Sequence, residues 1–156
     1  MRRRRAEKRK VLPDPKYKSE LISKFINIVM ERGKKATAER IVYDAFAGLQ
    51  EKTGKDNALE LFQQVLDNVR PMLELKSRRV GGATYQVPIE VTHARGITIA
   101  MRWIRNFARL RKGSPMSDRL TSEFFDAYQK QGAAVKKKED THKMAEANKA
   151  FSHFKW

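Results

Sequence analysis

Arg95, Arg102, Arg105, Arg109 and Lys112 recur at spacings that put all five within a sector of about 100° when the stretch is wound as a helix. A row of guanidinium and ammonium groups is suited to one kind of chemistry. It pairs with the oxygens of successive phosphates, arginine through a fork of parallel N–H donors. A merely solvated helix face would carry Glu and Asp among the cations to make i,i+4 pairs. The segment 95–112 has six basic residues and no acidic one. Two further clusters have the same character. Lys76, Arg78 and Arg79 precede Gly81-Gly82, and a glycine pair lets backbone approach a ligand closely. Arg2, Arg3, Arg4, Arg5, Lys8, Arg9, Lys10 and Lys16 crowd into residues 1–18. Lys34, Lys35 and the run Lys136-Lys137-Lys138 are second-rank candidates for phosphate contact. Phe151, Phe154 and Trp156 end a basic segment, and either pack back on the body or dock on a base or a partner protein.

The charge is concentrated rather than spread. The 156 residues include 34 Lys+Arg and 18 Asp+Glu, a formal net charge of +16, yet residues 19–69 sum to −1. Residues 1–18 and 95–112 together hold +13 of the total. A solubilising surface would intersperse both signs along the chain. This distribution is instead the footprint of a polyanion-binding surface.

Other chemistries lack their residues. There is no cysteine, which excludes disulfides, thiolate metal sites and Cys nucleophiles and suits a reducing compartment. His93, His142 and His153 have no metal-ligand spacing, so phosphate hydrogen bonding or plain surface is their expected role. Gly48 to Gly54 followed by Lys55 has one residue too many for a nucleotide-phosphate loop, and Asp56 stands where Ser or Thr should bind magnesium. There is no G-x-S-x-G, and the carboxylates mostly neighbour Lys or Arg on polar helix faces. The expected protein is therefore not an enzyme and takes no cofactor, metal or small-molecule substrate. Two rivals remain: a DNA architectural protein, which should bind duplex DNA as tightly as structured RNA, and an RNA-processing nuclease, which should cleave labelled RNA with magnesium. No stretch approaches the roughly 18 apolar residues of a spanning helix. Met1-Arg2-Arg3-Arg4-Arg5 leads to Val11-Leu12-Pro13-Asp14-Pro15, where a signal peptide needs an apolar run, so neither a membrane nor export is expected.

The elements that must position these cations are mainly helical. Residues 1–18 form a basic tail expected to be disordered until bound. Helices one to three occupy 19–71. The first starts behind Ser19, carries Leu21, Ile22, Phe25, Ile26 and Val29, and stops at Gly33. The second ends at Gly54 and the third starts at Asp56 or Asn57 with the stripe Leu59, Phe62, Leu66 and Val69. From 72 to 91 the period becomes two, which reads as a β-hairpin turning at Gly81-Gly82. Arms of about eight residues at about 3.3 Å each reach roughly 25 Å, so the tip should project. Helices four and five fill 92–132, helix four burying Ile97, Ala100, Ile104 and Phe107, and helix five starting with Ser114 as cap and Pro115 first. A basic helix and tail complete 133–156. The fold class is a single mainly α domain of about six helices, with the hairpin protruding between helices three and four.

These residues also resemble a known family along nearly the whole chain: the bacterial form of small-subunit ribosomal protein seven. The resemblance rests on Leu12-Pro13-Asp14-Pro15, Lys24-Phe25-Ile26-Asn27, Gly33-Lys34-Lys35, Arg102-Trp103, Asp126-Ala127 and above all 76–88, which reads KSRRVGGATYQVP. It extends through Ala134-Val135-Lys136-Lys137-Lys138-Glu139-Asp140 and Met144-Ala145-Glu146-Ala147-Asn148 to Trp156. The resemblance implies a cytoplasmic structural constituent of the small ribosomal subunit that binds the 3′ major domain of 16S ribosomal RNA and nucleates assembly of the head. It implies a place at the subunit interface, with exit-site tRNA and mRNA nearby and small-subunit proteins nine and eleven as neighbours. Some members also repress translation of their own operon. It would make the tail, the hairpin cations and the helix-four row the RNA contacts. One departure stands out. Where relatives commonly have Arg-Pro and paired arginines, this chain has Thr92-His93-Ala94-Arg95-Gly96, which leaves Arg95 alone in the first turn of the row.

Overall fold

The computed structural model describes residues 4, 6, 7 and 9–154. The elements run α1 Glu20–Val29, α2 Lys35–Thr53, α3 Ala58–Val69, β1 Leu73–Val80, β2 Ala83–Glu90, α4 His93–Leu110, α5 Met116–Tyr128 and α6 Gly132–Ala147, followed by a 3₁₀ helix Lys149–Phe154. This is the mainly α domain with a hairpin between α3 and α4 that the sequence pattern predicted.

The core forms where four helices each contribute an apolar stripe. Phe25 of α1, Phe46 of α2, Phe62 of α3 and Phe124 of α5 are fully buried. Their ring centroids lie 5.1 Å apart for Phe25 and Phe62 and 5.6 Å for Phe46 and Phe124, a spacing at which tilted and stacked rings attract. Burying each ring contributes about 1.5–3 kcal/mol, so this cluster anchors the body. Helix α5 runs through the middle and packs on α2, α3, α4 and α6. Gly48 permits the closest of these crossings. A Cβ there would stand 2.9 Å from the Thr121 side chain, so only hydrogen fits between α2 and α5. The glycine of the failed phosphate loop is thus a packing residue.

Several boundaries differ from expectation. Helix α1 stops at Val29 rather than Gly33, because Met30 leaves the helical conformation at ψ 136° and Arg32 and Gly33 adopt positive φ of 51° and 74° to turn the chain. The Ser19 side chain makes no cap hydrogen bond. In α3, Asn57 does accept from the Glu60 N–H. The buried face of α3 is wider than the expected stripe: Leu61 and Val65 are buried and Leu59 only half-buried, because α3 meets both α2 and α5. In α4 the buried residues include Gly96, Met101 and Ala108, while Ile97 and Phe107 lie partly buried at the margin. Helix α5 begins one residue late, with Pro115 as the cap, and ends at Tyr128; Gly132, expected to end it, opens α6. The ordered body starts before residue 19, since residues 14–19 form a turn seated on α2.

The hairpin pairs antiparallel from Leu73 opposite Glu90 to Val80 opposite Ala83. Gly81 and Gly82 have φ of 58° and 88°, the geometry a two-residue turn needs to match strand twist. Strand β1 packs on α6, and β2 on the 3₁₀ helix, where Phe151 meets Tyr85, the residue opposite Arg78. The contacts thus reach from the base of the ribbon up to Tyr85, and residues 79–84 with the turn lie beyond it along the ribbon.

Candidate nucleic-acid interface

Helix α4 forms because Ala100, Met101, Ile104 and Ala108 recur on one face and bury against the body. That burial turns the opposite face outward. Arg102 is exposed, Arg105 and Arg109 are half-buried, and Lys112 is exposed just past the helix end. Burial, and then the neighbouring charges of Arg109 and Arg102, push the Arg105 guanidinium below its ordinary pKa. It stays charged at neutral pH, since a guanidinium is not deprotonated in proteins. Three arginines are therefore held within electrostatic reach of one another, a field that an incoming phosphate relieves.

The row is not free of acidic partners, as the sequence of the helix alone suggested. Glu31, before α2, pairs with Arg109 at 2.6 Å. Glu74 of β1 accepts from Arg95 at 2.8–2.9 Å and holds its pKa above the ordinary value. Lys76 also lies 3.6 Å from Glu74. Arg105 donates to the Ile28 carbonyl at 3.3 Å, at the end of α1. Among the described residues, no acidic side chain pairs with Arg102 or Lys112. The fold thus supplies from outside α4 the carboxylates that α4 lacks. Glu74 also joins the first residue of the row to the hairpin, so the two surfaces share one frame. Gly96 faces inward. A Cβ there would meet Arg70 at 2.8 Å and the Pro71 carbonyl at 3.2 Å, so the first turn of α4 offers no open backbone at that residue.

At the hairpin tip Arg79 is exposed and Arg78 half-buried, beside the glycine turn. In the tail, Arg4, Arg9, Lys10 and Lys16 are exposed, and the Lys16 ammonium lies 5.0 Å over the Tyr43 ring. Arg2, Arg3, Arg5, Lys8 and Trp156 lie outside the described residues. Lys34 precedes α2 and Lys35 pairs with Glu39 at 3.8 Å. Lys136 and Lys137 are exposed, but Lys138 is half-buried and donates to the Asn68 carbonyl near the end of α3. Lys138 therefore acts as a helix-end partner. Phe151 packs on Tyr85 of β2, with centroids 5.1 Å apart, and Phe154 lies in the 3₁₀ helix.

Three structural roles could not be read from the sequence. Arg111, counted with the basic segment, points into the body. It donates to Glu123 at 2.7 and 2.9 Å and pairs with Asp126, and Glu123 in turn accepts from the Ala134 N–H at 3.1 Å. Burial lowers the Arg111 pKa, but its bonds to Asp126 and Glu123 outweigh that and leave it raised. His142, expected at the surface or on phosphate, accepts the Met72 N–H through Nε2 at 3.0 Å and clamps the hairpin base to α6. Burial and then the Lys138 charge keep it below the usual imidazole range. Asp14 is only 3% exposed although it lies in the basic tail. None of the three arrangements is local to one element, so no spacing rule could reveal them.

A family model described as ribosomal protein S7p/S5e matches residues 1–149. The chain is 58% identical over 155 residues to the small ribosomal subunit protein uS7 of Francisella tularensis subsp. holarctica (strain OSU18), covering 99% of each chain. It is also 58% identical over 155 residues to the protein of the same name from Francisella philomiragia subsp. philomiragia, again covering 99% of each. The chain belongs to the ribosomal protein S7p/S5e family, and is a structural, non-enzymatic protein of the small ribosomal subunit.

Proposed function

We propose that this chain binds the 3′ major domain of 16S ribosomal RNA directly and early, and nucleates folding of the subunit head. The observation that supports this most is the clustering of Arg102, Arg105 and Arg109 on the outer face of α4, where the charges of Arg109 and Arg102 both act on the Arg105 guanidinium. Glu74 ties that face to the hairpin through Arg95. A rigid body presenting cations at the row, the hairpin tip and the tail holds together RNA helices that otherwise repel. Recognition is by RNA shape, phosphates and 2′-hydroxyls, because the deep groove of A-form RNA hides its base edges. On this reading the tip at Arg78 and Arg79 lies near exit-site tRNA and the mRNA path, and small-subunit proteins nine and eleven are neighbours. Repression of its own message is the same surface used on a second RNA.

The test is binding of the purified chain to a transcript of the 16S 3′ major domain against an unrelated structured RNA of equal length, across a salt series. The expected result is preference for the cognate transcript by orders of magnitude at physiological salt. Equal affinity with the same salt dependence would reduce the surface to a general polyanion binder.

A further inference from the structure

Residues 14–19 form a turn that phosphate binding by itself does not require. Asp14 acts as its N-cap and Pro15 takes the first position, where a missing N–H costs nothing. One carboxylate oxygen of Asp14 accepts from the N–H groups of Lys16 at 3.1 Å and Tyr17 at 3.0 Å. The Lys18 N–H closes on the Asp14 carbonyl at 2.7 Å, with Lys18 at φ 51°, and the Asp14 N–H reaches the Ser19 carbonyl at 3.2 Å. The other carboxylate oxygen accepts the Tyr43 hydroxyl of α2 at 2.6 Å. The Tyr17 ring packs 5.9 Å from Tyr43 and edge-on to Phe46 at 5.7 Å. Two residues earlier Leu12 is 81% exposed, so the chain leaves the body at this point.

We propose that Asp14 and Tyr43 form a latch that fixes where and in which direction the basic segment 2–10 departs, making Asp14 a positioning residue for RNA binding. It rests on the RNA-binding reading above. Asp14 touches no phosphate in this role, because its oxygens are occupied by the turn and by Tyr43. It acts through Arg2–Arg5, Arg9 and Lys10. Without the latch the tether point retreats to the start of α1, about six residues on, adding a flexible span of roughly 13 Å. The tail cations then search a larger volume, and their effective concentration at the RNA falls.

The experiment uses the full chain and two latch variants, Tyr43→Phe, which keeps the ring, and Asp14→Asn, which keeps the shape. Because the chain has no cysteine, spin labels at Leu12→Cys and Glu51→Cys report the direction of departure without RNA. The distance distribution should be narrow in the parent and broad in both latch variants; equal widths overturn the latch. Affinity for the 3′ major-domain transcript should fall about tenfold in either variant. That loss should vanish when Arg2–Arg5, Lys8, Arg9 and Lys10 are already replaced by Gln, which a general loss of stability would not produce. A loss of the same size in the Gln background overturns the positioning role. A parent chain that does not prefer the cognate transcript overturns the RNA reading instead, and leaves the spin-label result to judge the latch.

Discussion

Glu123 shows how a single buried group governs three elements. It is 1% exposed, and its two oxygens bond Arg111 at the end of α4 and the Ala134 N–H in the first turn of α6. Burying a carboxylate is costly unless both lone-pair directions are used. Replacing Glu123 with Ala leaves Arg111 paired with Asp126 alone and the Ala134 N–H without its partner, so we expect a loss of about 2 kcal/mol, read as a lower urea midpoint. Because Arg111 is bound inside the body, the same variant should leave RNA affinity unchanged at temperatures where it is folded. A loss of RNA affinity in the folded variant would place Arg111 in the interface. Lys138 is a similar case, since its ammonium is engaged at the end of α3. Cations with the same formal charge are thus divided by the fold into those that hold the body and those that face outward.

At the scale of elements, α4 and the hairpin carry separate predictions. Arg102→Ala, Arg105→Ala and Arg109→Ala together should weaken RNA binding and reduce the salt slope by about two to three. The melting transition should scarcely move, because Glu31, the partner of the half-buried Arg109, is exposed and pairs at the surface are worth about 0–1 kcal/mol. Filter binding alongside thermal melting checks both; unchanged affinity would remove α4 from the interface. The hairpin depends on a neutral His142, since only the unprotonated Nε2 can accept from Met72. Its pKa is lowered in the fold, by burial first and then by Lys138, so the unfolded chain takes up the proton first as pH falls. The stabilisation is therefore complete above the ordinary imidazole value of about 6.5 and declines as pH falls below it. Glu146 and Lys149 on the C-terminal segment and Glu90 of β2 line the same groove, and the charge that acts on the ring is that of Lys138. Stability of the parent should drop more between pH 7 and pH 5 than that of His142→Gln, which keeps an acceptor that does not titrate. Parallel pH profiles in urea unfolding would show that the clamp carries no stability.

For the whole molecule, the proposed RNA-binding reading makes the separation of the three basic surfaces matter more than their total charge. On that reading each surface alone would bind weakly and in a salt-sensitive way, and their connection through one chain would make every further binding event intramolecular. Neutralising the tail (Arg2–Arg5), the tip (Arg78 and Arg79) or α4 singly should lower the slope of log K against log salt by about 0.7–0.9 for each phosphate that is no longer neutralised. Neutralising two surfaces together should reduce the preference for the cognate transcript more than the slope, because geometry is removed along with charge. Equal preference at reduced slope would mean that the surfaces bind independently.

Much of the architecture was legible because it follows from local periodicity. The hairpin turn at Gly81-Gly82, the end of α2 at Gly54 and the outward row on α4 are each decided within a few residues, and the structure places them accordingly. Charge concentration pointed to a polyanion for the same reason, since it needs no fold to be counted. What stayed hidden involves partners far apart in the chain: Asp14 with Tyr43, Met72 with His142, Arg95 with Glu74 and Arg111 with Glu123. The burial of Asp14 in a polar tail, and the inward turn of Arg111 within a basic run, reverse what composition suggests. By itself the sequence determined the elements and where the basic residues concentrate, because these depend on near neighbours. The tertiary structure decided which cations are available, because burial and pairing depend on which helix ends the packing of α5 brings together.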